Sequence, residues 1–134
     1  MDLISLRLQA LREVLASLHL DGFLASRRSS VRYLTGFSGT SGICLITPDE
    51  AVFVTDFRYK EQVKQELRGF RAAIARRTLL EELRKLEVLK SGQKIGFEAE
   101  DITVAVFEKM RSVFPQVAWE AQEKLIENLA IVKQ

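Results

Sequence analysis

Two short stretches hold the residues whose types and spacing could do chemistry. The first is Val31-Arg32-Tyr33-Leu34-Thr35-Gly36-Phe37-Ser38-Gly39-Thr40-Ser41-Gly42, where three glycines alternate with small hydroxyls. Glycines so close together describe a loop that turns sharply or lets another group come near. The second is Thr55-Asp56-Phe57-Arg58-Tyr59, a carboxylate and a guanidinium two residues apart. Ser38, Thr40 and Ser41 supply hydroxyls, but a serine nucleophile needs a base within about 3 Å. The one histidine, His19, falls at the end of a leucine-rich helix far along the chain from them. There its imidazolium suits the helix dipole or the surface better than a ligand role. The loop also lacks the Gly and Lys spacing that cradles phosphate.

Metal chemistry needs several His, Cys or carboxylate ligands converging at about 2.0 to 2.3 Å. The chain has one histidine and one cysteine. Glu98, Glu100 and Asp101 are near enough in sequence to form a carboxylate-only site, and the reading preferred for them is solvated caps before a helix. For Tyr33, Leu34 and Phe37 core packing competes with a role as loop aromatics anchoring an interface. Asp56 and Arg58 also carry two readings. One is a helix cap and an intrachain ion pair. The other has Arg58, with Tyr59 beside it, reaching from a sheet edge toward a partner surface or a substrate carboxylate, which guanidinium grips in two places.

The elements that position these residues follow from periodicity. Gly42 to Thr47 and Ala51 to Thr55 read as two antiparallel strands joined by the turn residues Pro48-Asp49-Glu50. Asp56 then stands at a helix N-cap, with Tyr59, Val63 and Leu67 on one stripe and Gly69 after the last turn. Upstream, Ile4, Leu8, Leu11, Leu15 and Leu18 form the apolar stripe of an amphipathic helix that Asp2 can cap and that Asp21-Gly22 ends. Burial of each is worth about 1.5 to 3 kcal/mol, so this helix is scaffold. Phe23-Leu24-Ala25 is a short buried strand leading to Arg27-Arg28-Ser29-Ser30.

Downstream, Phe70 to Ala75 reads as a strand, and Thr78-Leu79-Leu80-Glu81 has capping-box spacing for a helix turning Leu79, Leu83, Leu86 and Leu89 inward. Ser91-Gly92 turns the chain into a strand over Lys94 to Glu98. Asp101 or Thr103 caps a helix presenting Val106, Phe107, Met110 and Val113, which Pro115 stops. Val117-Ala118-Trp119 is a last strand, and Glu123 to Lys133 a last helix with Leu125, Ile126, Leu129 and Val132 on one side. A hairpin followed by alternating strands and helices predicts an α/β fold with a mixed sheet of about six strands and helices on both faces.

These motifs carry a resemblance. Arg32-Tyr33-Leu34-Thr35-Gly36-Phe37-Ser38-Gly39, then a hairpin, then Thr55-Asp56-Phe57-Arg58-Tyr59, resembles the N-terminal domain of the creatinase and prolidase superfamily, in particular bacterial Xaa-Pro aminopeptidases and dipeptidases. The likeness continues through Lys94-Ile95-Gly96-Phe97-Glu98 to Leu129-Ala130-Ile131-Val132-Lys133, with Ser30 where an Asn is common and Ala130 where an Arg is common. It implies a ribonuclease-H-like α/β sandwich over residues 1–134, whose last helix leads toward a C-terminal catalytic domain. It further implies a parent hydrolase that cleaves before proline in short peptides. Two divalent ions, often manganese, would be held by two Asp, one His and two Glu of that further domain and none by this chain.

On this resemblance the chain alone is expected to be inactive, to support a homodimer or higher oligomer, and to wall the substrate cleft. Tyr33, Phe37, Asp56, Arg58 and Tyr59 are the expected interface or cleft-wall residues, with Phe37 and Arg58 at an exposed edge. The alternatives are a non-peptidase relative such as a creatine amidinohydrolase, and a free-standing binding module.

Composition agrees with one domain. The chain has 134 residues, 47% of them apolar, and a mean hydropathy of zero, enough to bury roughly two-thirds of its unfolded surface. Its net charge of +2 comes from arginines in pairs, Arg27-Arg28 and Arg76-Arg77, without a long basic run, so nucleic acid is not implied. The single cysteine, Cys44, excludes an internal disulfide and reads as a buried hydrophobe in a reducing compartment. No apolar run approaches the 18 or so residues needed to span a bilayer, and the expected location is cytoplasmic. The chain stops inside a helical pattern, as a chain cut at a domain boundary would.

Overall fold

The computed structural model describes residues 2–133, and side chains as far as Ile131. Thirteen elements alternate along the chain: α1 (Leu3–Ser17), β1 (Gly22–Ala25), α2 (Arg28–Thr35), β2 (Ile43–Ile46), β3 (Ala51–Asp56), a 3-10 turn (Phe57–Tyr59), α3 (Lys60–Glu66), β4 (Arg71–Ala75), α4 (Leu79–Lys85), β5 (Lys94–Glu98), α5 (Val104–Val113), β6 (Ala118–Gln122) and α6 (Leu125–Lys133). The strands form one six-stranded sheet in the order β4-β3-β2-β1-β5-β6. β2 runs antiparallel to both neighbours, and the other pairings are parallel. The mixed α/β sheet expected from the sequence is the one observed.

The central strands are apolar at every position because both faces are covered. On one face Phe23, Ala25, Cys44, Ile46 and Phe53 pack with Leu8, Leu11 and Leu15 of α1, Leu34 of α2, Val63 of α3, and Ile126 and Leu129 of α6. On the other, Leu24, Leu45, Val52, Val54, Ile95 and Phe97 meet Leu83 of α4 and Met110 of α5. This period-2 division places successive residues of one strand in different cores. Arg12 ties α1 to the β2–β3 turn, donating to the carbonyls of Thr47 at 2.8 Å and Glu50 at 3.0 Å.

Several local expectations are corrected. The stretch Val31 to Thr35 lies in helix α2, and only residues 36–42 are loop. Leu18 is 46% exposed, since α1 has ended before its side chain can reach the core. Gly22 does not end α1; it belongs to β1, where a Cβ would stand 2.9 Å from the Ile46 carbonyl oxygen. The left-handed residue after α1 is His19, at φ 57°. Val106 is exposed on α5 while Met110 is buried, and Thr103, not Asp101, caps that helix by accepting from Val106 N–H. Val132, expected on the inward stripe of α6, lies outside the described side chains.

Candidate functional site

All strands except β2 end at the same edge of the sheet, and the two chemistry-bearing stretches meet there. Helix α2 closes on Gly36, whose φ of 81° places its N–H 2.8 Å from the Arg32 carbonyl. That left-handed cap is cheap for glycine and costly for a residue with a Cβ. Thr35 Oγ1 then accepts from Phe37 N–H at 3.0 Å and turns the chain inward. Phe37 is 1% exposed. Its ring lies 4.8 Å from that of Phe53 and 5.3 Å, edge-on, from that of Tyr59. Phe37 is therefore part of this chain's own core, and the expectation that it stands at an exposed edge is corrected: the apolar payload of its ring is satisfied by β3 and the 3-10 turn.

The rest of the loop is strapped down. Ser38 donates through N–H (2.9 Å) and Oγ (3.0 and 3.2 Å) to the Glu66 carboxylate, and Gln62 Nε2 donates to Ser38 Oγ at 2.9 Å. The Ser38 backbone N–H, foremost, holds Glu66 below its ordinary carboxyl range. A carboxylate stabilised in this way is a poor base, so the Ser38–Glu66 pair is a tether rather than an activated nucleophile. Gly39 passes so close to the Phe37 and Tyr59 rings that a Cβ would come within 2.4 Å of Phe37 and 2.8 Å of Tyr59. Thr40 N–H donates to the Tyr59 hydroxyl at 3.2 Å, and its Oγ1 lies 2.5 Å from the same oxygen. Those contacts, the side-chain one first, hold the pKa of the Tyr59 phenol below its ordinary value. Thr55 Oγ1 donates to the Ser41 carbonyl.

Asp56 ends β3 and caps the 3-10 turn by accepting from Arg58 N–H at 3.1 Å. Arg58 returns a two-pronged contact, Nε to Oδ1 and Nη2 to Oδ2, each 2.9 Å. These hydrogen bonds hold the Asp56 carboxyl down at about 2. The cap and intrachain pair are thus both present. Arg58 remains exposed, and its guanidinium carbon lies 5.2 Å from the Tyr59 ring centre. Tyr33 lies apart on α2: Arg7 stacks on its ring at 4.1 Å and donates to its carbonyl at 2.9 Å.

Two residues matter that the sequence reading passed over or misplaced. Phe57 is 76% exposed at the sheet edge. The stripe Tyr59, Val63, Leu67 could have flagged it, because position 57 falls off that stripe. Glu98 was expected to be a solvated cap. It is 4% exposed, inside β5, and accepts from Ser26 N–H, Arg27 N–H and Ser30 Oγ. Its signal is its place directly after the apolar run Ile95-Gly96-Phe97, as the last residue of the strand. Burial, the dominant cause, pushes its carboxyl above the ordinary range.

The donor set does not fit a metal pair. No group of three or more His, Cys, Asp or Glu among the described residues could hold an ion. Cys44 is fully buried, which pushes its thiol up and keeps it from acting as a thiolate. No described helix is long and apolar enough to cross a membrane.

Comparison with known proteins gives this geometry a family. The chain is 30% identical over 128 residues to the uncharacterized peptidase YqhT of Bacillus subtilis, covering 96% of this chain and 36% of that protein. Its fold superposes on an Xaa-Pro aminopeptidase from Streptococcus pyogenes with TM-score 0.86 and 28% identity, covering 95% of this chain and 97% of that one. An Xaa-Pro dipeptidase from Bacillus anthracis gives TM-score 0.85 and 29% identity, with 94% of this chain matching 35% of that one. The N-terminal domain of the cytoplasmic peptidase PepQ from Mycobacterium tuberculosis gives 0.79 and 30%, with coverages of 92% and 97%. The chain thus spans about a third of the length of the two Bacillus proteins. The profile of the Creatinase/Prolidase N-terminal domain matches residues 7–132, and the chain belongs to that family.

Proposed function

We infer that this chain is the non-catalytic N-terminal domain of a metal-dependent Xaa-Pro peptidase of aminopeptidase or prolidase type. The observation that carries the reading is the likeness, over nearly the whole chain, to the N-terminal parts of Xaa-Pro peptidases. In this reading the sheet edge with Asp56, Phe57, Arg58 and Tyr59 walls the substrate cleft and takes part in assembly. Tyr33 contributes from α2, and Phe37 acts only by holding the loop in place. α6 leads toward a catalytic domain that carries the divalent ions, and short proline-containing peptides are the substrates. The buried Cys44 thiol and the likeness to a peptidase described as cytoplasmic support a cytoplasmic location.

The test compares the whole protein containing this chain with the 134-residue chain alone, each assayed for release of the N-terminal residue from an Xaa-Pro peptide with added manganese. Turnover by the whole protein only is the expected result. Turnover by the chain alone, free of contaminating peptidase, overturns the non-catalytic role. A whole protein that spares Xaa-Pro bonds and cleaves creatine overturns the peptidase reading.

A further inference from the structure

The corner of the sheet where β3 and β4 end is basic. The two strands are parallel and Asp56 lies opposite Ala75. Arg76 and Arg77 therefore leave the sheet beside Phe57 and Arg58, one strand spacing of about 4.8 Å away. All four residues are exposed, and so is Lys60 at the start of α3. The carboxylates of the corner are already engaged. Asp56 is held by Arg58 at 2.9 Å, Glu61 by Lys64 at 3.6 Å and Glu82 by Lys85 at 3.9 Å. Glu81 stands in the first turn of α4, where the helix N-terminus favours its charge. Lys60, Arg76 and Arg77 enter no ion pair among the described residues. Further along the same edge, Arg28, Glu100, Asp101, Glu123 and Lys124 mix both signs.

An enzyme that removes one N-terminal residue holds that residue and the scissile bond at its reacting centre. The part of the peptide that extends away is then the part after proline, and a wall outside the metal-bearing domain meets that part. We propose that Arg76 and Arg77, beside Phe57, make the cleft favour peptides that carry an acidic side chain after proline. Their guanidinium forks are free to take a carboxylate in two places, whereas the fork of Arg58 already closes on Asp56. The exposed Phe57 ring offers an apolar surface to the same stretch of peptide. The inference rests on the peptidase and cleft-wall reading given above, and adds to it the class of substrate that the wall selects.

These charges stand in water, so the preference is modest and screened by salt. They lie away from the bond that breaks and hold substrate and transition state alike, so the effect falls on KM and not on kcat.

The experiment measures kcat/KM of the whole protein containing this chain, with added manganese, on Xaa-Pro-Glu-Ala, Xaa-Pro-Gln-Ala and Xaa-Pro-Lys-Ala. All three peptides are amidated, so that no terminal carboxylate competes with the side chain. The expected order is Glu over Gln over Lys. The Glu-to-Lys ratio is expected to be about five- to tenfold in about 50 mM salt and to fall toward one in about 500 mM salt. Arg76→Gln with Arg77→Gln brings the low-salt ratio toward one, and Arg76→Glu with Arg77→Glu inverts it. The ratio is taken within one preparation, so a variant that folds poorly lowers both rates alike and leaves the ratio readable. Lys109→Gln with Arg111→Gln, on α5, removes the same net charge elsewhere and is expected to keep the native ratio. Three results overturn the substrate preference and leave the peptidase reading standing: a native ratio near one beside ready hydrolysis, a ratio unmoved by the Arg76 and Arg77 variants, or one moved as far by the α5 pair. A whole protein that cleaves none of the three peptides removes the peptidase reading, and the preference with it.

Discussion

Ser30 Oγ donates to Glu98 Oε2 at 2.5 Å, joining residues 68 positions apart in a place closed to water. The other carboxylate oxygen accepts from Ser26 N–H at 2.9 Å and Arg27 N–H at 3.0 Å. Arg27, the N-cap residue of α2, makes no side-chain cap of its own. Glu98 therefore caps α2 from β5 and fixes the helix that delivers the 36–42 loop to the sheet edge. Ser30→Ala removes one donor and is expected to cost about 1 to 2 kcal/mol. Glu98→Ala strands two backbone N–H groups as well and is expected to cost about 3 kcal/mol or more. Urea unfolding followed by circular dichroism measures both, and equal effects would contradict the capping role.

Two carboxyls give the stability opposite dependences on pH. Burial raises the Glu98 carboxyl above its ordinary 4.5, so the native state holds its proton longer than the unfolded chain. Its contribution is fully present below 4.5 and is lost as pH rises through the native value. Asp56 is lowered from 3.8 to about 2 by Arg58. Its contribution is present above 3.8 and is lost as pH falls toward 2. Unfolding free energy measured from pH 2 to 7 is expected to lose its decline above 4.5 in Glu98→Gln and its acid-side decline in Asp56→Asn. A Glu98→Gln profile parallel to the native one would refute the first assignment.

Gly22 and Gly69 separate steric crowding from backbone strain. Gly22→Ala drives a Cβ against the Ile46 carbonyl oxygen, Thr47 and Ile95, and the backbone atom cannot swing aside. The expected loss is about 1 to 3 kcal/mol, from overpacking between β1 and β2. At Gly69 a Cβ meets nothing within 4 Å, but φ is +77°. Gly69→Ala is therefore expected to cost about 1 to 2 kcal/mol through the left-handed backbone alone. Thermal unfolding of the two variants checks the contrast, and only Gly22→Ala should also disturb amide exchange in β1 and β2.

Much of the fold was legible because it is written locally. The stripe of Leu8, Leu11 and Leu15, the strand alternation around Phe53, and the Thr78 cap are patterns within a single element, and the structure keeps each. Helix α2 was not legible, because the group capping it lies about 70 residues away at Glu98 and its first turn carries two serines, Ser29 and Ser30, which are weaker helix formers. The end of α1 was misplaced for a related reason. Gly22 looked like a stop signal, yet the close approach of β2 is what requires it, and His19 takes the left-handed position. At the candidate site, Asp56 and Arg58 were legible from cap spacing. Which aromatic faces out was not, since burial of Phe37 depends on Phe53 and Tyr59 arriving from other elements.

The exchange of roles between Phe37 and Phe57 can be measured directly. Phe37 fills a site between two rings, so Phe37→Ala is expected to cost about 3 to 5 kcal/mol through lost transfer energy and the cavity left behind. Phe57 has three-quarters of its surface in water. Phe57→Ser should therefore move the unfolding free energy of the monomer by about 0.5 kcal/mol or less. If the sheet edge is an interface, that same substitution raises the dissociation constant of the dimer, because an exposed aromatic next to an arginine is the kind of side chain that anchors a contact. Parallel measurements of unfolding and self-association on both variants separate a core residue from a docking residue. A Phe57→Ser chain that unfolds as easily as Phe37→Ala would place Phe57 in the core and remove it from the interface.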